Sequence, residues 1–284
     1  LLVLFNVHAS YCQSRNFTLE AGGVGDISNF QWSIAGNLQG QSPNILSELT
    51  FKKITSLGVF FNGIYKPLKR LELNVYYQKN GIVSGQGNDA DYQDDNRKFI
   101  TYQEPFTSDK GQLENFRTGA GFYFISKADF SLKTAFYYVS SVQNFYILNS
   151  DFDNLNSTYK AKWRSAQLSV ENSYHLTPNL SILGTISYGL LKYNSKANWN
   201  LIEIFKHPIS FEQHANGYVL EGNIGLNYKL NSSLNLLLNG DIGCKKTSKG
   251  IDDSYLQNNN QIATQFNGSN INFYQLRIGT SLSF

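Results

Sequence analysis

The sequence predicts an all-β fold: a transmembrane antiparallel β-barrel of about ten strands, with short turns on one rim and long loops on the other. Three observations carry that prediction. Tyr218, Leu220, Gly222, Ile224, Leu226 and Tyr228 alternate with Val219, Glu221, Asn223, Gly225, Asn227 and Lys229. One face of that segment is therefore apolar and the other mostly polar or small, as a wall between lipid and a polar interior requires. The segments also outrun the roughly 5–6 residues usual in soluble sheets and reach the ~9–11 that cross a bilayer at a tilt. Finally, short and long connections alternate strictly along the chain, which places the short turns in the periplasm and the long loops outside.

Element by element, alternating segments occupy 30–39 and 46–65, separated by GQSPNI, and KPLKR then turns the chain into 71–79. A polar stretch with four aspartates follows, GQGNDADYQDDN at 85–96. The segment 115–125 turns through SKAD into 130–148, and 157–175 turns at LTPN into 180–193. The segment 216–230 turns at NSS into 234–246, and a loop rich in Asn and Gln precedes the last segment, 271–284. That segment places Tyr274, Leu276, Ile278, Thr280, Leu282 and Phe284 on one face, an alternating, aromatic-terminated end like those of bacterial outer-membrane barrels. The even count is the one a closed single-chain bacterial barrel needs, and no stretch holds helical periodicity for long.

Composition narrows the function classes. Charged residues make up 16% of the chain and aromatics 14%, and methionine is absent. A net charge of +3 without a basic run gives no footprint for nucleic acid. Cys12 and Cys244 form no metal-ligand spacing, and no cofactor or metal motif is found. The opening LLVLFNVHASYCQS reads as the tail of an export signal, so residues 1–12 are expected to be a leader remnant and 13–284 the barrel. Ten strands leave an interior that side chains largely fill, which argues against a diffusion pore.

LSELTFKKITSLGVFFNGIY followed by LELNVYYQKNGIVSGQGNDADYQDD resembles the first half of the omptin family of outer-membrane proteases, with Asp89, Asp91 and Tyr92 matching the family's Asp-x-Asp before an aromatic residue. The resemblance extends by strand and loop order from about Phe30 to Phe284 and implies residence in the outer membrane of a Gram-negative bacterium. It implies as partners outer-membrane lipid, lipopolysaccharide, and a peptide or protein ligand at the extracellular mouth. Omptins activate a water between two carboxylates and an Asp-His pair on opposite loops. Asp89 and Asp91, two apart on an extended backbone, point to one side, and like charges that close raise one pKa, which suits a proton-handling group. Solvated acidic loops, or a cation held by carboxylates, are the plain alternative.

The opposite half departs from the family. NSKANWNLIEIFKHPISFEQHANG places Asn198 and Asn200 where an ungapped match expects Asp and His, and an amide is no general base at neutral pH. Glu203, His207 and His214 are the remaining candidates for a shifted pair. Asn44 stands where omptins carry an acidic side chain for a basic substrate residue. The segment around Trp199, His207, Pro208, Phe211 and His214 is also similar to omptin-like barrels grouped with the Protochlamydia outer membrane protein. Its structural reading is a loop folded over the mouth, with aromatics packed and histidines hydrogen-bonded. Two functions are therefore expected: a non-catalytic surface or structural barrel, favoured, or an omptin-like endopeptidase using Asp89, Asp91 and a rearranged carboxylate-histidine pair.

Overall fold

The computed structural model describes residues 16–149, 151–152 and 154–284. The expected leader, residues 1–12, lies outside the described residues.

Long alternating segments become long strands: β1 (Phe17–Ile34), β2 (Ser47–Leu68), β3 (Leu71–Asp94), β4 (Lys98–Thr107), β5 (Gly111–Ser126), β6 (Phe130–Ile147), β7 (Ser157–His175), β8 (Leu180–Asn198), β9 (Phe211–Lys229), β10 (Leu234–Thr247), β11 (Gly250–Tyr255) and β12 (Gln261–Ser283). All pairings are antiparallel, and β12 pairs back onto β1, so ten of the strands close a ring. The other two, β4 and β11, extend the wall above it: β4 pairs with β3, and β11 bridges β12 and β9.

Three details differ from the sequence-based expectation. β1 begins at Phe17 rather than near residue 30, because its first half, FTLEAGGVGDISN, is too rich in small residues to show an apolar face. Close approach explains one of these: a Cβ on Gly22 would lie 2.1 Å from the Ile278 carbonyl oxygen across the closing seam. The aspartate stretch is strand rather than loop, the upper part of β3, and the chain reverses only at Asp95–Arg97, a single 3-10 turn. The first short turn is Lys69–Arg70, with Pro67 still inside β2.

Alternation sorts the side chains. Leu57, Val59, Phe61, Val75, Leu168, Ile186, Leu190, Ile224 and Ile278 are exposed on the outer face. Exposed aromatics flank this band on several strands, with Tyr77, Tyr138, Tyr188 and Tyr218 toward the long loops and Phe17, Tyr65, Tyr174, Tyr228 and Phe284 toward the short turns. This is the band with two aromatic girdles that a bilayer selects. Inside, the half near the short turns is polar. Arg277 donates two hydrogen bonds of 2.9 Å to Asp241, and Lys133 lies between Glu72 and Glu171. The Arg117 guanidinium sits over the rings of Tyr76 and Tyr137, at 5.2 and 4.8 Å. Pairing keeps such charges tolerable away from bulk water.

Above this network the lumen is plugged by aromatics. Phe30 lies 5.9 Å from Phe51, 5.5 Å from Phe145, 5.6 Å from Tyr159 and 6.2 Å from Trp163 by ring centroid. Each such pair contributes about 0.5–1.5 kcal/mol beyond its buried area. The plug separates the polar lumen from the extracellular mouth and forms the floor of the site described next.

Candidate functional site

The upper part of β3 rises above the apolar band and is held between β2 and β4. Register sets Asp89 opposite Leu49 and Asp91 opposite Ser47 on β2, and on β4 it sets Asp89 opposite Glu104 and Asp91 opposite Tyr102. Period-two alternation turns these residues to the same face, and they line a cleft of about 690 Å³. Directly opposed like charges, as at Asp89 and Glu104, oppose strand pairing. Stability alone therefore does not account for them.

The remaining walls come from distant parts of the chain. Trp32, Phe106 and Phe211 form the floor, Trp199, Ile202 and Phe205 cover one side, and Asp252 and Ser254 on β11 face in from another. Trp199 packs edge-on against Phe211 at 4.8 Å, which draws the β8–β9 loop over the mouth. Four carboxylates line the cleft, and among the described lining residues there is no Lys, Arg or His.

Electrostatics follow from this enclosure. Burial and the neighbouring Asp91 charge push Asp89 up to about 7, against a lowering hydrogen bond from the Ala90 backbone. Burial also raises Asp91, partly offset by Ser47. Asp252 is pushed up to about 6 by burial, against hydrogen bonds from Gln213 and Ser254. Desolvation in each case disfavours the charged carboxylate, and a bound cation would reverse that preference.

The other sequence candidates lie elsewhere. His214 is on β9 next to Gln213, and because Gln213 is buried and inward, His214 points to the outer face. Its Nδ1 is 2.7 Å from Asn194 Oδ1 and its Nε2 is 3.9 Å from Glu212. His207 is exposed with Nδ1 2.8 Å from Asn198 Oδ1, and Glu203 is exposed in the same loop. The cleft thus brings together Asp89 and Asp91 but not Glu203, His207 or His214. Asn200 ties two loops together, accepting from the Asn156 N–H at 2.9 Å and donating to the Asn154 carbonyl at 2.8 Å. Asn44 clamps the β3–β4 turn: its N–H donates to Asp95 Oδ1 at 2.6 Å and its Oδ1 accepts from the Asn96 N–H at 2.8 Å.

Facing inward on β9 is the amide of Gln213. Its Nε2 donates to Asp252 Oδ1 at 2.9 Å, while its Oε1 accepts from Tyr159 at 2.5 Å and from Ser195 at 2.9 Å. Both ends of the amide are thereby fixed, and an amide carries no proton for acid-base work. Sequence reading passed over Glu104 and Asp252. Each sits in a short alternating run, KFITYQEPFT and IDDSY, that resembled loop beside the longer strands.

A family model, "Protochlamydia outer membrane protein", matches residues 26–284. The chain belongs to that family. Among solved structures it is similar to the outer-membrane protease OmpT from Escherichia coli, with a TM-score of 0.77 and 12% identity over 95% of this chain and 97% of that one. Weaker likenesses include the translocator domain of the autotransporter NalP from Neisseria meningitidis (TM-score 0.43, 10% identity, 96% of this chain and 90% of that one). OprG from Pseudomonas aeruginosa follows at a TM-score of 0.39 and 13% identity, covering 95% of each chain. No curated protein matches. At these identities the structural likeness speaks for the fold: a Protochlamydia-family barrel of the outer membrane, built on the same frame as an omptin.

Proposed function

We propose that this outer-membrane barrel is a non-catalytic surface receptor whose mouth binds a cationic ligand with apolar flanks. The observation that carries the proposal is the cleft lining: Asp89, Asp91, Glu104 and Asp252 around an aromatic floor, with no basic side chain among its described residues. A cation entering there meets carboxylates on two walls and aromatic faces beneath, where cation–π contact adds about 0.5–2 kcal/mol. No histidine lines the cleft among its described residues, and the side chain that holds Asp252 from below, Gln213, is a fixed amide rather than a base.

A second reading is favoured by one observation: Asp89 at about 7 and Asp252 at about 6 line the same cleft, a pairing suited to acid-base hydrolysis of a peptide. One experiment separates the two. The refolded barrel in detergent is titrated with a labelled octapeptide of alternating Lys and Val, and the mixture is followed by mass spectrometry. Saturable binding of intact peptide, weakened in Asp89→Asn/Asp91→Asn and absent for a Glu-Val control, supports the receptor. Cleavage lost in the same variant supports the peptidase, and equal binding of both peptides removes the cation-binding reading.

We propose lipopolysaccharide as a second partner, at the outer face. Lys160, Arg164, Lys192 and Lys196 point outward above the apolar bands of β7 and β8, with Lys160 directly opposite Lys196 and Arg164 opposite Lys192. Such a cluster fits the phosphates of lipopolysaccharide. If it serves that role, Arg164→Ala/Lys192→Ala lowers co-purifying lipopolysaccharide without altering the barrel.

A further inference from the structure

Beneath the aromatic plug the lumen encloses a second cavity, of about 110 Å³. That is the volume of about four waters at ~30 Å³ each, so any solute held there is small. Asp26, Glu221 and Asp241 line it together with Arg117, Lys245 and Arg277. Glu114 also borders it, but its carboxylate turns outward to Lys79 at 3.3 Å. Of the six inward charges, only Arg277 and Asp241 form an ion pair. Asp26 is 6% exposed and its Oδ1 has no hydrogen-bond partner, and the Nε of Arg117 has none either.

Strand order sorts the unpaired charges onto facing walls. Around the ring β9, β10, β12 and β1 are consecutive, while β6 stands opposite β12 with β5 beside it. Asp26 on β1 and Glu221 on β9 therefore belong to one wall. Lys245 starts on that same wall, on β10, but reaches away from both carboxylates. Its Nζ donates to Ser141 Oγ on β6 at 2.9 Å, and Ser141 donates in turn to Asn115 Oδ1 on β5 at 3.2 Å. Asn115 shares the inward face of β5 with Arg117, two residues further down. The rings of Tyr76 and Tyr137 cover the Arg117 guanidinium, which leaves its N–H edge free for an anion. An ammonium and a guanidinium thus stand on the β5–β6 wall, and two carboxylates stand across from them.

We propose that the lumen beneath the plug binds a small zwitterion of the amino-acid class, its carboxylate held by Arg117 and Lys245 and its ammonium by Asp26 and Glu221. Buried charges held apart lose hydration without the Coulombic return of a pair, so stability alone does not favour this arrangement. A lone anion would answer one wall and leave the other uncompensated, and a lone cation would do the reverse. A molecule with both groups answers both walls and adds no net charge to the interior. Val139 and Phe273, also in the lining, leave an apolar surface for its short carbon chain. The plug closes the way from the mouth, so this solute enters from the periplasmic end. The site is independent of the acidic cleft and of the receptor reading.

The test uses the full barrel refolded in detergent, titrated with glycine, β-alanine and γ-aminobutyrate and followed by saturation-transfer NMR. Acetate and methylammonium, each alone, are the single-charge controls. At least one zwitterion should bind saturably, and about tenfold or more tightly than either control, since it makes charge-assisted bonds at both ends. Arg117→Gln and Glu221→Gln, with the gel mobility of the folded barrel unchanged, should each weaken that zwitterion about tenfold or more. Should a variant fail to fold, the comparison of zwitterion with single-charge controls on the wild-type barrel decides alone. Absence of saturable binding leaves only a hydrated polar network in the lumen and overturns the proposal. Acetate or methylammonium binding as tightly as the zwitterions makes this a simple ion site and overturns it as well. Because Arg117 and Glu221 both lie beneath the plug, binding that survives in both folded variants belongs elsewhere on the barrel and equally overturns it.

Discussion

Ile224→Arg is the most direct test of which face of the wall meets lipid. Ile224 is 68% exposed on the outer face of β9 and is flanked across both ladders by glycines, Gly184 on β8 and Gly240 on β10. Neither neighbour can shield an inserted charge. The outer band of β9 runs from Tyr218 to Tyr228. A strand rise of ~3.3 Å at a ~40° tilt gives about 2.5 Å of depth per residue, so ten steps span about 25 Å, the height of a barrel's apolar belt. Ile224 then lies within about 3 Å of the midplane and Leu226 about 7–8 Å from it. Arginine at 224 should cost about 2–4 kcal/mol, and at 226 about half as much. Asn227→Arg, one residue further on and facing inward, should cost about 1 kcal/mol or less. The assay is reversible urea unfolding of the barrel in phosphatidylcholine vesicles, followed by tryptophan fluorescence. Equal costs for 224 and 227, or a larger cost at 226 than at 224, would refute the assignment of face and depth.

Further outcomes follow from the mouth and the topology. Asp89 titrates at about 7 in the folded protein against an ordinary 3.8. The folded state therefore holds that proton more tightly, stability rises as pH falls from about 8 toward 4, and binding of the Lys-Val peptide weakens over the upper part of that range; isothermal titration at several pH values checks both, and pH-independent binding contradicts the role given to Asp89. Epitope tags inserted at Asn258 and at Ser232 should label from outside intact cells only at Asn258, and equal labelling sinks the topology. Gly22→Val places a side chain against the Ile278 carbonyl, so the folded band on an unheated gel should diminish, whereas Gly23→Ala, with only the Gly58 carbonyl oxygen at 4.0 Å, should leave it intact.

Some of this protein could be read from its residues because alternation is a local signal. Tyr218 to Tyr228 show which side meets lipid without any partner strand being known, and the strict alternation of short and long connections orders the strands around the ring. The pairing of Asp89 with Asp91 is equally local, since two residues apart on a strand share a face. What the sequence could not reveal depends on contacts between distant segments. The first half of β1 is hidden because glycine and alanine serve close approach at the seam with β12, and that is decided by Ile278 rather than by any neighbour in sequence. His214 looks as eligible as any histidine until pairing buries Gln213 and thereby turns His214 outward, since a one-residue change of face exchanges the whole set of side chains. Glu104 and Asp252 join Asp89 only because β4 and β11 extend the wall above the bilayer. The residues alone therefore determine a barrel and its lipid face. Which carboxylates share one cleft, and that an amide rather than a histidine holds Asp252, is decided by closure of the ring, because closure alone brings strands far apart in the chain to opposite sides of one mouth.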